Sequence, residues 1–334
     1  MFDLPGLTDL LETATPFALP LRRTFRGLDV RDGVLLRGPV GWGEFAPFDD
    51  YDDVAAGRWL RCAIEAAYGQ WPEPVRATIR VNAILPSLAV AEARDWTLRA
   101  RDEFGVRTVK VKVAESSPSE DLARLVAVRE VLGSEGRIRI DGNGRWTLTE
   151  AEAILPQLVR AAGGVEYVEQ PLDQLGDMRR LRESIGVPLA VDEGLRRAPD
   201  LSDPALPELI RAAGDVLVLK AGPLGGVAVS IELAKRIGLP VVVSGALDSS
   251  VGLAAGLALA AGIADLPLDC GLGTGALLAA DLVDQTTLPT AGALAIGRRA
   301  PDADALAAAA AGVAPVRQQW WVQRLSAAYG TLVP

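Results

Sequence analysis

Between residue 77 and about residue 275 the chain repeats one pattern. Apolar runs at 78–85, 108–114, 137–142, 165–170, 188–193, 215–221, 240–246 and 267–272 each have the length and content of a buried strand, and helical stretches lie between most of them. Eight strands with such long connections pair in parallel through right-handed crossovers, because a tight turn can only return a chain antiparallel. A closed (β/α)8-type barrel is the economical α/β architecture for them, with a doubly wound open sheet as the alternative. Local signals support helices in the gaps. Thr149-Glu-Ala-Glu152 has capping-box spacing, and Ser119-Glu-Asp places acids in a first helical turn. The connection after Gly194 is rich in proline and is the weakest helix of the set.

Residues 1–76 read instead as a small α+β domain. Phe25-Arg-Gly-Leu-Asp-Val-Arg-Asp-Gly-Val-Leu-Leu-Arg-Gly suggests two strands about an Asp-Gly turn at 32–33. Gly41-Trp-Gly-Glu-Phe-Ala-Pro-Phe looks too irregular for a core strand, and 53–70 has helical spacing ended by Pro72 and Pro74. The expected division is 1–76, a barrel over 77–275, and a C-terminal segment over 276–334 that packs back on the N-terminal domain. In that segment the alanine-rich stretch from Asp302 favours helix, and Trp320 and Trp321 are expected to make the contact.

The net charge is −9, from 34 basic and 43 acidic residues spread along the chain, which argues against a nucleic-acid partner. Cys62 and Cys270 fit no metal-ligand spacing and suit a reducing compartment. Met1-Phe2-Asp3-Leu4-Pro5 lacks the basic-then-apolar pattern of a signal peptide, and the apolar stretch 251–264 falls short of the ~20 residues a bilayer requires. A cytoplasmic protein with no membrane and no protein partner is expected. The sequence has no histidine. That removes histidine triads, histidine zinc sites and histidine bases together, so proton transfer falls to Lys, Asp, Glu, Tyr or Cys.

Thr108-Val-Lys-Val-Lys-Val113 alternates with the period of a strand, so Lys110 and Lys112 project from one face. Two adjacent ammonium groups repel unless anions lie opposite. Three later runs end in Asp141, Glu169 and Asp192, and the next ends in Lys220. All of these lie late in their runs, at the strand ends where barrel active sites form. Acids on three successive strands would converge and repel, so a divalent cation is their natural neutraliser. An all-oxygen site suits Mg²⁺ or Mn²⁺. A cation facing a lysine suggests proton abstraction beside a carboxylate, with the metal stabilising an enediolate in a small-molecule carboxylate substrate. Lys112 would be the base, tuned by Lys110. Taken singly, each acid is more often a loop cap and Lys-Val-Lys an exposed strand face. Charges of the right sign at matching places on five consecutive repeats favour a shared site. Glu193 stays open between a supporting partner and a solvated turn residue, Glu44 is ambiguous, and Tyr51 and Tyr68 read as packing.

Lys110-x-Lys112, Asp141-x-Asn143, Glu169-Gln-Pro171, Asp192-Glu193 and Lys220 together resemble the signature of the enolase superfamily, muconate lactonizing subgroup, across nearly the whole chain. The resemblance implies a barrel with an N-terminal capping domain. It also implies Mg²⁺ on Asp141, Glu169 and Asp192, and catalytic Lys112 and Lys220 facing each other across the substrate. Within the subgroup, the short capping domain, the stretch from Phe25 to Pro47, Ser244-Gly-Ala-Leu-Asp-Ser-Ser250 and Cys270-Gly-Leu-Gly-Thr274 resemble the o-succinylbenzoate synthase family. That resemblance implies a dehydration yielding 2-succinylbenzoate in menaquinone biosynthesis. Lys110, Asn143, Ser244, Gly245 and Gly271 would then contact substrate, and backbone N–H groups around the last three would hold a carboxylate without a dedicated arginine. An N-acylamino acid racemase or dipeptide epimerase is the alternative on the same charges. Relative to longer members, part of the loop that closes over substrate is missing.

Overall fold

The computed structural model describes residues 4–333; the signal-peptide reading of Met1, Phe2 and Asp3 lies outside them. Strands β1 (Thr15–Phe25) and β2 (Leu28–Arg37) form a long antiparallel hairpin, and β3 (Trp42–Phe45) pairs with β2. The turn falls at Arg26-Gly27, whose φ angles of 54° and 76° are the left-handed pair a two-residue hairpin turn needs. Asp32-Gly33 lies inside β2 instead, opposite Ala18 and Phe17. A side chain at Gly33 would stand 2.6 Å from the Ala46 Cβ, so glycine here serves close packing. The expected Asp-Gly turn is therefore wrong, and so is the irregularity expected of Gly41–Phe48, where β3 is a regular strand.

Helix Asp53–Tyr68 covers this small sheet, its first turn capped by Asp52 accepting from Ala55 N at 2.8 Å. Its apolar face, with Trp59, Leu60 and Ile64, packs against Phe45 and against Trp321 from the C-terminal helix Pro315–Gly330. Trp321 meets Phe45 edge-on at 5.9 Å and donates its indole N–H to Asp32 at 2.9 Å. Trp320 stacks edge-on against Trp321 at 4.8 Å. The tryptophans pack on the N-terminal layer as expected.

The barrel strands follow: β4 (Thr78–Arg80), β5 (Ala83–Leu85), β6 (Thr108–Lys112), β7 (Arg137–Asp141), β8 (Val168–Glu169), β9 (Leu189–Val191), β10 (Val216–Leu219) and β11 (Val241–Val243). The strands β5 to β11 form one parallel sheet in sequence order. The first apolar run is split. β5 enters the sheet, while β4 pairs antiparallel with β12 (Ala293–Ala295). The eighth run forms no extended strand, yet it closes the circle: Cys270 bridges to Val81 and Gly271 to Ser244, both parallel. The N–H groups of Asn82 and Gly271 complete the seam, donating to Cys270 O at 2.9 Å and Val243 O at 2.8 Å. The architecture is a (β/α)8-type barrel with an α+β layer over it.

Helices occupy the gaps as expected, with the capping boxes at Ser117/Glu120 and Thr147/Glu150, two residues before Ser119 and Thr149. The proline-rich connection holds only the turn Glu193–Arg196 and the short helix Leu206–Ala213. Between sheet and helices runs the main apolar core, with Val109, Val111, Ile138, Ile140 and Val168 facing it. Their strand neighbours face inward. Inside the barrel, Ala190, Val216, Val218 and Val242 make one wall apolar, while β6 and β7 present lysine, arginine and aspartate to the interior. No helix among the described residues is long and apolar enough to cross a membrane.

Candidate active site

Strand register gathers the charges. Lys112 lies opposite Asp141 across β6 and β7, and Asp141 opposite Glu169 across β7 and β8. Neighbours at one level of a parallel sheet share a face, so all three point into the barrel mouth. Lys110 Nζ donates to both Glu169 oxygens, at 2.9 and 3.1 Å, and lies 3.2 Å from Asp141 Oδ2. Lys112 Nζ donates to that same Asp141 oxygen at 2.7 Å and to Asn143 Oδ1 at 2.5 Å. Lys220, after β10, donates to Asp192 Oδ2 at 2.6 Å. Strands β7, β8 and β9 separate β6 from β10, which puts Lys112 and Lys220 on opposite sides of an eightfold barrel. None of the six charged groups is more than 8% exposed.

Burial pushes the Glu169 carboxyl above its ordinary value, and the charges of Asp141 and Asp192 add to that push against the pull of Lys110. Burial acts the same way on Asp141, but the Lys112 and Lys110 ammoniums outweigh it and hold Asp141 below the usual carboxylate range. Burial opposes the charge of Lys110, yet Glu169 and Asp141 keep it above the usual lysine value. Lys220 moves the other way, since burial and the nearby Arg196 outweigh Asp192. Lys110 is thus committed to the acids, a different part from the tuning neighbour expected of it.

The donor chemistry fits a hard divalent cation: three buried carboxylates on adjacent strands, oxygen donors only, and mutual repulsion written into Glu169. Among the described residues no acids stand already assembled as a coordination shell. Each of the three is turned onto an ammonium group, and a cation among them would take over that charge.

A further set of residues fixes this cluster. Gln170 Oε1 accepts from the backbone N–H of Asp192 at 2.9 Å and of Gly194 at 3.1 Å, which sets the turn that aims Asp192. Arg196, one helical turn on, donates to Asp192 Oδ1 at 3.0 Å, to Glu193 Oε1 at 2.5 Å and to the Tyr51 hydroxyl. Glu193 is therefore a buried partner rather than a solvated turn residue, and Tyr51 does more than pack. Gln170 stood in the Glu169-Gln-Pro171 motif without a role of its own, and Arg196 was not among the expected site residues. The three- and four-residue spacing of Arg196 from two acids was the available signal. Asn143 is held at both ends, its Oδ1 accepting from Lys112 and its Nδ2 donating to Glu193 Oε1 at 3.1 Å.

Ser244, Gly245 and Gly271 do meet, but not as an anion cradle. Ser244 N donates to Leu219 O at 2.8 Å, Gly245 N to Gly271 O at 3.0 Å and Gly271 N to Val243 O at 2.8 Å. These three N–H groups close the barrel's own ladder, so the carboxylate site expected from them is corrected. Beside them a cavity runs between the capping layer and the barrel, lined by Trp42, Glu44, Trp59, Cys62, Asp248 and Lys220. Glu44 accepts from the Ser249 N–H at 3.2 Å and from its hydroxyl. Burial and Asp248 push Glu44 up to about 7, with Arg31 pulling it down. Over the opposite side hangs the β1–β2 turn. The Phe25 ring sits 5.6 Å from Lys112 Nζ and packs with Ile84, Leu247 and Leu277. This turn lies over Lys112 although part of the closing loop of longer members is missing.

Residues 91–302 match the model of the enolase C-terminal domain-like family, and 17–67 match the enolase N-terminal domain-like family. The o-succinylbenzoate synthase of Mycobacterium leprae is 42% identical over 99% of this chain and 96% of its own length. That of Thermobifida fusca is 47% identical over 86% of this chain and 88% of its own. Among solved structures, the muconate lactonizing enzyme of Pseudomonas putida superposes with a TM-score of 0.70 at 19% identity, covering 89% of this chain and 98% of that one.

Proposed function

Since the chain belongs to the o-succinylbenzoate synthase family of the enolase superfamily, we propose that it dehydrates 2-succinyl-6-hydroxy-2,4-cyclohexadiene-1-carboxylate to 2-succinylbenzoate, a step of menaquinone biosynthesis. One observation carries this: two lysines on opposite sides of a single buried acid cluster. Lys112 takes the proton from the ring carbon bearing the carboxylate. The electron pair of that C–H bond becomes a ring double bond as the C–O bond to the hydroxyl breaks. Lys112 then returns its proton to the departing hydroxide, so that one substrate gives one product and one water. The ring becomes aromatic, which makes the elimination downhill and leaves the first proton transfer as the barrier to lower.

Asp141, Glu169 and Asp192 would hold a divalent cation, Mg²⁺ with Mn²⁺ as a substitute. When bound, it supplies charge stabilisation for the substrate's carboxylate oxygens. Lys110 stays among the acids and orients them. Asn143, pinned by Glu193, accepts from Lys112 and keeps its amine aimed into the barrel. Lys220 stabilises charge from the other ring face. The two cysteines are buried and unpaired, which suits a cytoplasmic enzyme acting on a small carboxylate. The test is optical: the cyclohexadiene absorbance should disappear with protein and Mg²⁺, persist with EDTA, and fall again when Mg²⁺ is restored. Persistence with Mg²⁺ present overturns the proposal.

A further inference from the structure

We infer that Arg26, at the tip of the β1–β2 turn, receives the second carboxylate of the substrate, the one carried on the succinyl arm. The inference rests on the proposed function. A substrate with two carboxylates needs two anion sites, and the acid cluster with its cation accounts only for the ring carboxylate. The N–H groups of Ser244, Gly245 and Gly271 are consumed in the barrel ladder.

The cations around the site differ in how far they are committed. Lys110, Lys112, Lys220 and Arg196 each donate to a buried acid at 3.0 Å or less. Arg31 is buried and gives its guanidinium to the carbonyls of Leu247, Ala46 and Asp32. Arg26, on the turn that lies over Lys112, is held more loosely than any of these. Among the described residues its side chain makes no hydrogen bond, and its one ion pair is Nη2 to Glu193 Oε1 at 3.6 Å. That oxygen already accepts from Arg196 at 2.5 Å and from Asn143 at 3.1 Å, so Arg26 is the loosest of its three partners. Its side chain is 24% exposed.

Position and surroundings favour the same role. The Arg26 guanidinium lies over the Phe48 ring at 4.9 Å, which holds the planar fork without using any N–H. Its neighbour Phe25 is the residue over Lys112, so the turn that shields the base also presents the cation. Phe25 and Leu247 give an apolar wall for the methylenes of the arm. A guanidinium with open N–H groups matches a carboxylate two bonds at a time, which an ammonium cannot do.

The experiment compares 2-succinylbenzoate with 2-butyrylbenzoate, which has the same chain ending in methyl instead of carboxylate. Binding of each is measured by calorimetry with saturating Mg²⁺, for the native protein, Arg26→Asn and Arg26→Lys. Asparagine is chosen because it tolerates the positive φ of this turn. The native protein should prefer the diacid by about 10- to 100-fold. Arg26→Asn should erase the preference by weakening the diacid alone, and Arg26→Lys should restore part of it. A preference that survives in Arg26→Asn overturns the inference while leaving the proposed reaction standing, and so does equal weakening of both ligands. If the native protein binds neither ligand, the proposed reaction falls and the inference with it.

Discussion

The two lysines stand on differently built ground. Lys112 belongs to a flank assembled by the barrel: β6 supplies it, β7 and the turn after it supply Asp141 and Asn143, and Glu169 of β8 holds Lys110 alongside. Lys220 belongs to a flank that leans on the capping layer. Its partner Asp192 is held by Arg196, and Arg196 by Tyr51 of that layer. Glu65 from the same layer caps the helix after Lys220, accepting from Val227 N at 2.5 Å and Ala228 N at 3.2 Å. At Gly222 a Cβ would meet Trp59 at 2.8 Å, so the two layers touch backbone to ring. One flank owes its electrostatics to strand register. The other owes them to how tightly a second layer seals it. Both lysines are buried, and they differ in their neighbours: burial and Arg196 leave Lys220, with one ion pair, below the ordinary lysine value, while Glu169 and Asp141 hold Lys110 above it.

The largest expected effects test whether this asymmetry is chemical. Lys112→Ala should lower dehydration by about 10²- to 10⁴-fold, the range a general base contributes. Lys220→Ala should cost clearly less, because its part is to stabilise charge. Stopped-flow loss of the cyclohexadiene absorbance measures both. A Lys112→Ala protein within about tenfold of native turnover would reject Lys112 as the base. The same variants examine the racemase alternative through deuterium exchange into N-succinylamino acids. Exchange that disappears equally with either lysine would mean that both faces transfer protons, and the asymmetry would then be structural only.

Next in size is the pH dependence of the Lys220 flank. Glu44 rises from an ordinary 4.5 to about 7, burial first and Asp248 second. Between those values the folded protein keeps a proton that the unfolded chain has released. The stabilisation is therefore complete below about pH 4.5 and declines as pH rises through 7. At about 1.4 kcal/mol per pKa unit the decline is at most about 3 kcal/mol. It is smaller in proportion to the part of Glu44 open to the cavity, since the side chain is half-buried. Glu44→Gln keeps an acceptor for Ser249 and should flatten the decline, bringing urea midpoints at pH 5 and pH 8 closer together. An unchanged slope would mean that Glu44 ionises freely and that the cavity is wetter than its lining suggests.

What could be read from the sequence follows the same division. The Lys112 flank was legible because alternation along Thr108–Lys112 and apolar runs ending in Asp141 and Glu169 are local signals, and parallel register does the rest. The Lys220 flank was legible only at Lys220 and Asp192, since its supports come from Tyr51, Trp59 and Glu65, more than a hundred residues away. The hairpin turn was misplaced for a related reason. Asp32-Gly33 carries the local signature of a turn, but Asp32 is tied to Trp321 and Arg317, and Gly33 is pressed against Ala46. The carboxylate cradle failed because a ladder N–H and a free N–H look identical in sequence.

The smallest effect probes the thinnest link between the layers. Tyr51→Phe removes one oxygen that accepts from Arg196 and leaves the ring packed against Phe48 and Trp59. A buried hydrogen bond to a charged donor contributes about 1.5–3 kcal/mol, so the urea midpoint should fall by a corresponding amount with an unchanged slope. Arg196 would keep Asp192 and Glu193 as partners, so the acid cluster should remain assembled while its hold on the capping layer weakens. If stability does not change, the grip of the capping layer on this flank resides in Glu65 and Trp59. Glu65→Ala should then produce the loss that Tyr51→Phe did not, because two helix N–H groups would lose their acceptor at once.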